Sequence, residues 1–129
     1  MRLFFDTNIL LDIGLRREPF LESSQSVFID AVEHHRCFVS WHSVSNLAYI
    51  LGKVEGAALA LEFIQHVISV CRIAPIDHKD VLVALEYNDG DFEDAMQIAS
   101  ALSVGADMII TRDRSGFAKS PIPVTNPKR

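Results

Sequence analysis

The chain has 129 residues, 49% apolar and 22% charged, with a formal net charge of −5. Those totals fit one folded domain, residues 1–129, able to bury a core without staples. They offer no bulk positive charge for gripping nucleic acid, and no apolar run approaches the ~20 residues that cross a bilayer.

The opening MRLFF is too short for a secretory signal and turns acidic at Asp6. Two cysteines, Cys37 and Cys71, stand in apolar surroundings without metal-type spacing. They read as buried free thiols of a cytoplasmic protein.

The apolar run 3–5 (LFF) predicts a buried strand ending at Asp6. TNILLDIGL follows with helical spacing at Ile9, Leu10 and Ile13, and REPF (17–20) reads as a loop. Residues 23–35 predict an amphipathic helix on Val27, Phe28, Ala31 and Val32, with a Ser cap. RCFVS (36–40) predicts a second strand. Trp41 to Lys53 and Glu55 to Val70 predict two helices, with Gly52 and Gly56 bracketing the break. CRIAPI (71–76) predicts a third strand, Lys79 to Leu85 a helix, and NDGD (88–91) a turn. Phe92 to Val104 predicts a helix and DMIIT (107–111) a fourth strand. Pro121 and Pro123 frame a last extended piece ending near Val124, in keeping with an edge strand.

Strands alternate with helices, which predicts an α/β fold. The expectation is a single three-layer domain, a mainly parallel sheet of four to five strands flanked by helices. In such sheets function gathers at the carboxyl ends of strands. Asp6 ends the first strand; Thr111, Arg112 and Asp113 end the fourth. Between them, Asp91, Glu93 and Asp94 crowd the start of the late helix. Helix capping accounts for Asp91, and the helix dipole suits Glu93 and Asp94. Asp94, however, lies on the Ile98/Ala101 side, near the apolar face. Crowded carboxylates call for a cation, and hard oxygen ligands select Mg²⁺ or Mn²⁺. Such a cation activates water at a phosphoryl centre. An aspartyl-phosphate phosphatase would need a second Asp two residues after Asp6, where Asn8 stands.

The ordered set FFDTNILLD, VSWHSVSNLAYIL, DFEDAMQIASAL, ADMIITRDRSGF and PIPVTNP resembles the PIN-domain family, of the sort found as VapC-type toxins of toxin–antitoxin pairs. The resemblance spans nearly the whole chain. It implies a parallel sheet sandwiched by helices and a divalent-metal-dependent endoribonuclease acting on RNA, commonly tRNA or rRNA. It further implies a homodimer and a cognate antitoxin whose Arg or Lys enters the acidic site. On this resemblance Asp6, Asp94 and Asp113 are the metal ligands and catalytic acids. Asn8 and Thr111 support them, and Asp91 is a supporting acid or cap.

Two positions depart from the pattern. Asn46 stands where the family carries Glu; it keeps an oxygen donor but cannot act as a base. Gly116 stands where many relatives carry another acid. A degenerate PIN domain that binds RNA or protein without cutting is therefore the alternative. Arg112 and Arg114, with Arg16 and Arg17, read either as phosphate contacts at the mouth or as solvated surface. Trp41 reads as core packing, with base stacking as the alternative. None of the five histidines has a partner at metal-ligand spacing, and His42 reads as surface.

Overall fold

The computed structural model describes residues 1–127. Strand β1 (Arg2–Phe5) carries an apolar run, Leu3 to Phe5, buried on both faces, as the central strand of a parallel sheet must be. β2 (Arg36–Val39) pairs with it on one side and β4 (Met108–Ile110) on the other, both parallel. β3 (Arg72–Ile73) and β5 (Val124–Thr125) form the edges, giving the order β3-β2-β1-β4-β5.

Side chains alternate across the sheet with the period of two that strands impose. Leu3, Phe5, Val39 and Ile110 pack on one face under α1 (Thr7–Gly14), α2 (Leu21–His34), α3 (Trp41–Glu55) and α4 (Ala57–Val70). Phe4, Phe38 and Ile109 pack on the other against Ile98 and Ala101 of α6 (Phe92–Ser103), and α5 (His78–Tyr87) lies against α6. None of the described helices is long and apolar enough to cross a membrane.

Several boundaries differ from the sequence expectation. α2 begins at Leu21, because Leu21 N–H already bonds Arg17 C=O at 2.7 Å. Its expected Ser cap is absent: the Ser23 hydroxyl donates to Phe20 C=O. Gly52 lies inside α3, and the break falls at Gly56 alone, whose φ of +93° favours glycine. β3 is two residues rather than six, since Pro75 has no N–H to offer a ladder. Cys37 and Cys71 are buried and free, as expected.

The chain builds β1, β2 and β3 outward in one direction, then returns to place β4 on the other side of β1. That reversal opens a crevice beyond the carboxyl ends of β1 and β4, the usual ligand position in such sheets.

Candidate active site

Asp6 sits where β1 turns into α1. It holds the N-cap position but does not cap the helix. Its carboxylate is fixed from two other elements. Gln97 of α6 donates to Oδ1 at 2.7 Å, and the Thr111 hydroxyl donates to Oδ2 at 2.7 Å. Gln97 is anchored in turn, its Oε1 accepting Thr7 N–H at 3.2 Å. Thr111 accepts Asp113 N–H at 3.0 Å. Asp6, Thr7, Gln97 and Thr111 are all buried, so each broken bond would leave an unsatisfied group in low dielectric.

Asp91 caps α6, accepting the N–H groups of Glu93 at 3.0 Å and Asp94 at 3.3 Å. Asp94 is half-buried at the first turn. Its carboxyl is pushed up to about 7, first by burial and then by Asp91, Asp6, Asp113 and Glu93. Every charge named there is negative. Asp113 Oδ1 accepts from the Ser115 hydroxyl at 2.7 Å and from Gly116 N–H at 3.2 Å, which orders the short turn 115–117.

Gly116 lies against both acids. A Cβ at this position would stand 2.3 Å from Asp94 Oδ2 and 2.9 Å from Asp113 Oδ2. The two carboxylates thus converge on one point, and a side chain at 116 would collide with them. Gly116, where the resemblance leads one to expect an acid, leaves room for this close approach; a side chain there would require one of the two carboxylates to move. Among the described residues, no group of three or more His, Cys, Asp or Glu side chains is assembled to hold a metal. The converging pair is Asp94 and Asp113. Asp6 acts on Asp94 through its field and is held separately by Gln97 and Thr111.

The remaining sequence candidates divide. Asn46 reaches across to α6 and donates to Glu93 Oε2 at 3.3 Å, so Glu93 does not simply face solvent. Asn8 accepts from Arg17 at 3.3 Å rather than contacting an acid of the site. Arg112 is not a free phosphate contact. Its Nε and Nη2 grip Asp12 at 2.7 and 2.9 Å, and its guanidinium lies 3.7 Å over the Phe20 ring. Arg114 is exposed and has no ion pair among the described residues. Trp41 is 63% exposed, which overturns the core reading. His42 is half-buried rather than on the surface, and both its ring nitrogens are hidden without a partner among the described residues.

Sequence reasoning missed Gln97, and with it Asp12. Each left a signal: a polar side chain interrupting an apolar helix face, Gln97 between Ala95 and Ile98, Asp12 between Leu11 and Ile13.

The PIN domain family model matches residues 2–115. The chain belongs to the PIN-domain family. Among curated proteins it is 27% identical over 123 residues to Ribonuclease VapC1 of Aquifex aeolicus, covering 91% of this chain and 85% of the relative. Solved PIN structures share the fold at lower identity. VapBC-1 from nontypeable Haemophilus influenzae aligns with a TM-score of 0.78 at 14% identity, covering both chains fully. Mycobacterium tuberculosis VapC20, described as a sarcin–ricin loop cleaving toxin, aligns at 0.74 and 16%, covering 91% of this chain and 94% of that one. DNA-bound VapBC from Salmonella typhimurium aligns at 0.73 and 18%, covering 99% of each.

Proposed function

We propose that this PIN domain is a divalent-metal-dependent endoribonuclease, the toxin of a toxin–antitoxin pair. The observation that carries the reading is the convergence of Asp94 and Asp113 at Gly116, with the Asp94 carboxyl raised to about 7. Two crowded acids without a cation among the described residues suit a hard divalent ion, Mg²⁺ or Mn²⁺. Asp94 and Asp113 would hold it, with Asp6, whose charge reaches Asp94, as the third acid of the site. When bound, such an ion stabilises charge at a phosphoryl centre and lowers the pKa of its water. The chain's own part is to fix these acids. Gln97 and Thr111 orient Asp6, Asp91 starts the helix that carries Asp94, and Ser115 with Gly116 orders Asp113.

The similarity to Ribonuclease VapC1 and to a toxin that cleaves the sarcin–ricin loop supports RNA, tRNA or rRNA, as substrate. The likeness to VapBC assemblies supports an antitoxin partner, and a homodimer belongs to the same reading.

The test is incubation of purified protein with total tRNA and rRNA plus Mg²⁺ or Mn²⁺. Cleavage is expected to vanish with chelator and to fall at least about a thousandfold in Asp94→Asn, because the amide keeps shape but loses metal affinity. Cleavage that survives chelation and the substitution sinks the reading.

The second reading, a PIN domain that binds without cutting, is favoured by Asn46 standing where the family carries Glu and by the net charge of −5. It predicts RNA retention in a filter assay without metal, and no cleavage with it.

A further inference from the structure

Asn46 and Glu93 are 47 residues apart in sequence and meet between α3 and α6, the amide donating to Glu93 Oε2 at 3.3 Å. A carboxylate ion only accepts, so the NH₂ end of the amide must face it. That bond occupies one oxygen of Glu93 and leaves the other available. The helix dipole alone would explain an acid in the first turn of α6. It does not explain why an exposed glutamate gives up rotamer freedom to hold a partner on another helix.

The surroundings of this pair are just as specific. His42 precedes Asn46 by four residues, so the two lie on one face of α3. Glu93 is the largest electrostatic influence on His42, followed by Asp6, yet burial outweighs both and holds the imidazole neutral. His42 therefore supplies no counter-charge. Glu93 has no ion pair with Lys or Arg among the described residues, and its charge also bears on Asp94. The result is a carboxylate oriented by Asn46, without a cation among the described residues, whose charge reaches Asp94 as the smallest of the influences on it.

We propose that Glu93 is a further catalytic carboxylate of this site, and that Asn46 is a positioning residue that works through it. The proposal rests on the ribonuclease reading above. In the step assigned to Glu93, the water oxygen bonds to phosphorus while one water proton passes to the Glu93 carboxylate. The bond from phosphorus to the leaving ribose oxygen breaks, and that oxygen takes a proton from solvent.

The experiment compares Glu93→Gln, Asn46→Ala and the double variant with the parent. The substrate is a fluorophore–quencher oligoribonucleotide spanning a cut found in tRNA or rRNA. Mn²⁺ binding is measured separately by calorimetry without RNA, and melting curves check the fold. Glu93→Gln is expected to lower kcat about 10²–10³-fold, the range of a lost general base, with KM within about threefold. Asn46→Ala is expected to lower kcat about tenfold, and the double variant to be no slower than Glu93→Gln, since residues acting as a unit are not additive. Loss of the charge is expected to weaken Mn²⁺ binding about three- to tenfold in Glu93→Gln, and no further in the double variant. A parent that cuts while Glu93→Gln cuts equally fast overturns the proposal and leaves the ribonuclease reading standing. A double variant slower than Glu93→Gln by the full Asn46→Ala factor overturns the positioning role. A parent that cuts no RNA with either metal sinks the ribonuclease reading and the proposal with it.

Discussion

Two acidic centres of this molecule are built on opposite terms. At the corner of α1 and α2, Asp12 is completely buried and fully answered: Arg112 grips both oxygens, Ser24 donates at 2.8 Å, and Arg17 stands 3.7 Å away. At the crevice mouth, Asp94 is half-buried and, among the described residues, the charges that raise it are all carboxylates. Arg112 is adjacent in sequence to Asp113, so the crevice is not acidic for want of a nearby cation. The fold turns that arginine away, onto Asp12 and the face of Phe20. One centre is a closed ion pair that holds two helices and a loop together. The other has no countercharge among the described residues, which suits an ion from outside.

The first way to break the comparison is to remove Asp12. Asp12→Ala leaves a guanidinium without its partner, and loss of one member of a buried pair costs about 3–5 kcal/mol. Arg112 keeps 26% exposure of its side chain, so the lower end, about 3 kcal/mol, is expected in denaturant unfolding. A loss under about 1 kcal/mol would put the pair in the class of surface salt bridges and erase the contrast. Asp94→Asn is expected to leave metal-free stability unchanged or raised.

Next is Gln97→Ala, which strips Asp6 of one donor and Thr7 N–H of its acceptor in a buried setting. Unsatisfied buried groups cost about 1–3 kcal/mol each, so about 2–3 kcal/mol of stability should go, and cleavage should fall with it. Stability at the parent's level would show that water replaces both bonds. Gly116→Ala is expected to act on function more than on fold. The new methyl must displace Asp94 or Asp113, lowering Mn²⁺ affinity about ten- to a hundredfold while the melting temperature changes by only a few degrees. Unaltered Mn²⁺ binding would mean that the two acids need not converge to hold the ion.

Much of this is legible in the sequence. Helices announce themselves by apolar spacing over eight to fifteen residues and strands by short apolar runs, and strand ends carrying Asp6 and Thr111–Asp113 place acids at one sheet edge by topology alone. The partners of those acids were not legible, because they come from far along the chain. Gln97 and Asp6 are 91 residues apart, Arg112 and Asp12 are 100 apart, and Asn46 and Glu93 are 47 apart. No local pattern encodes such distances. Gly116 shows the point most plainly: as a letter it reads as a missing acid, and only the positions of Asp94 and Asp113 show that two carboxylates approach its Cα. Ser23 fails in the other direction, since a plausible local cap loses to a turn begun at Arg17.

The smallest expected effect sharpens the comparison furthest, because it reads the crowding at Asp94 directly. The Asp94 carboxyl is raised from 3.8 to about 7 in the folded protein. Between about pH 4 and pH 7 the folded state therefore keeps a proton that the unfolded chain has released. Stability falls wherever the native state binds more protons, so metal-free protein should lose stability as pH rises through that window and level off above it. Solvent screening at a half-buried group keeps the effect modest, about 1–3 °C in melting temperature between pH 5 and pH 8. The readout is the difference between parent and Asp94→Asn across that range, which isolates this carboxyl from every other titrating group. Saturating Mn²⁺ should reverse the sign for the parent alone, since the ion competes with the proton and binds better as pH rises. Parallel curves for the two proteins would mean that Asp94 is not crowded, and that the crevice differs from the Asp12 corner only in its exposure.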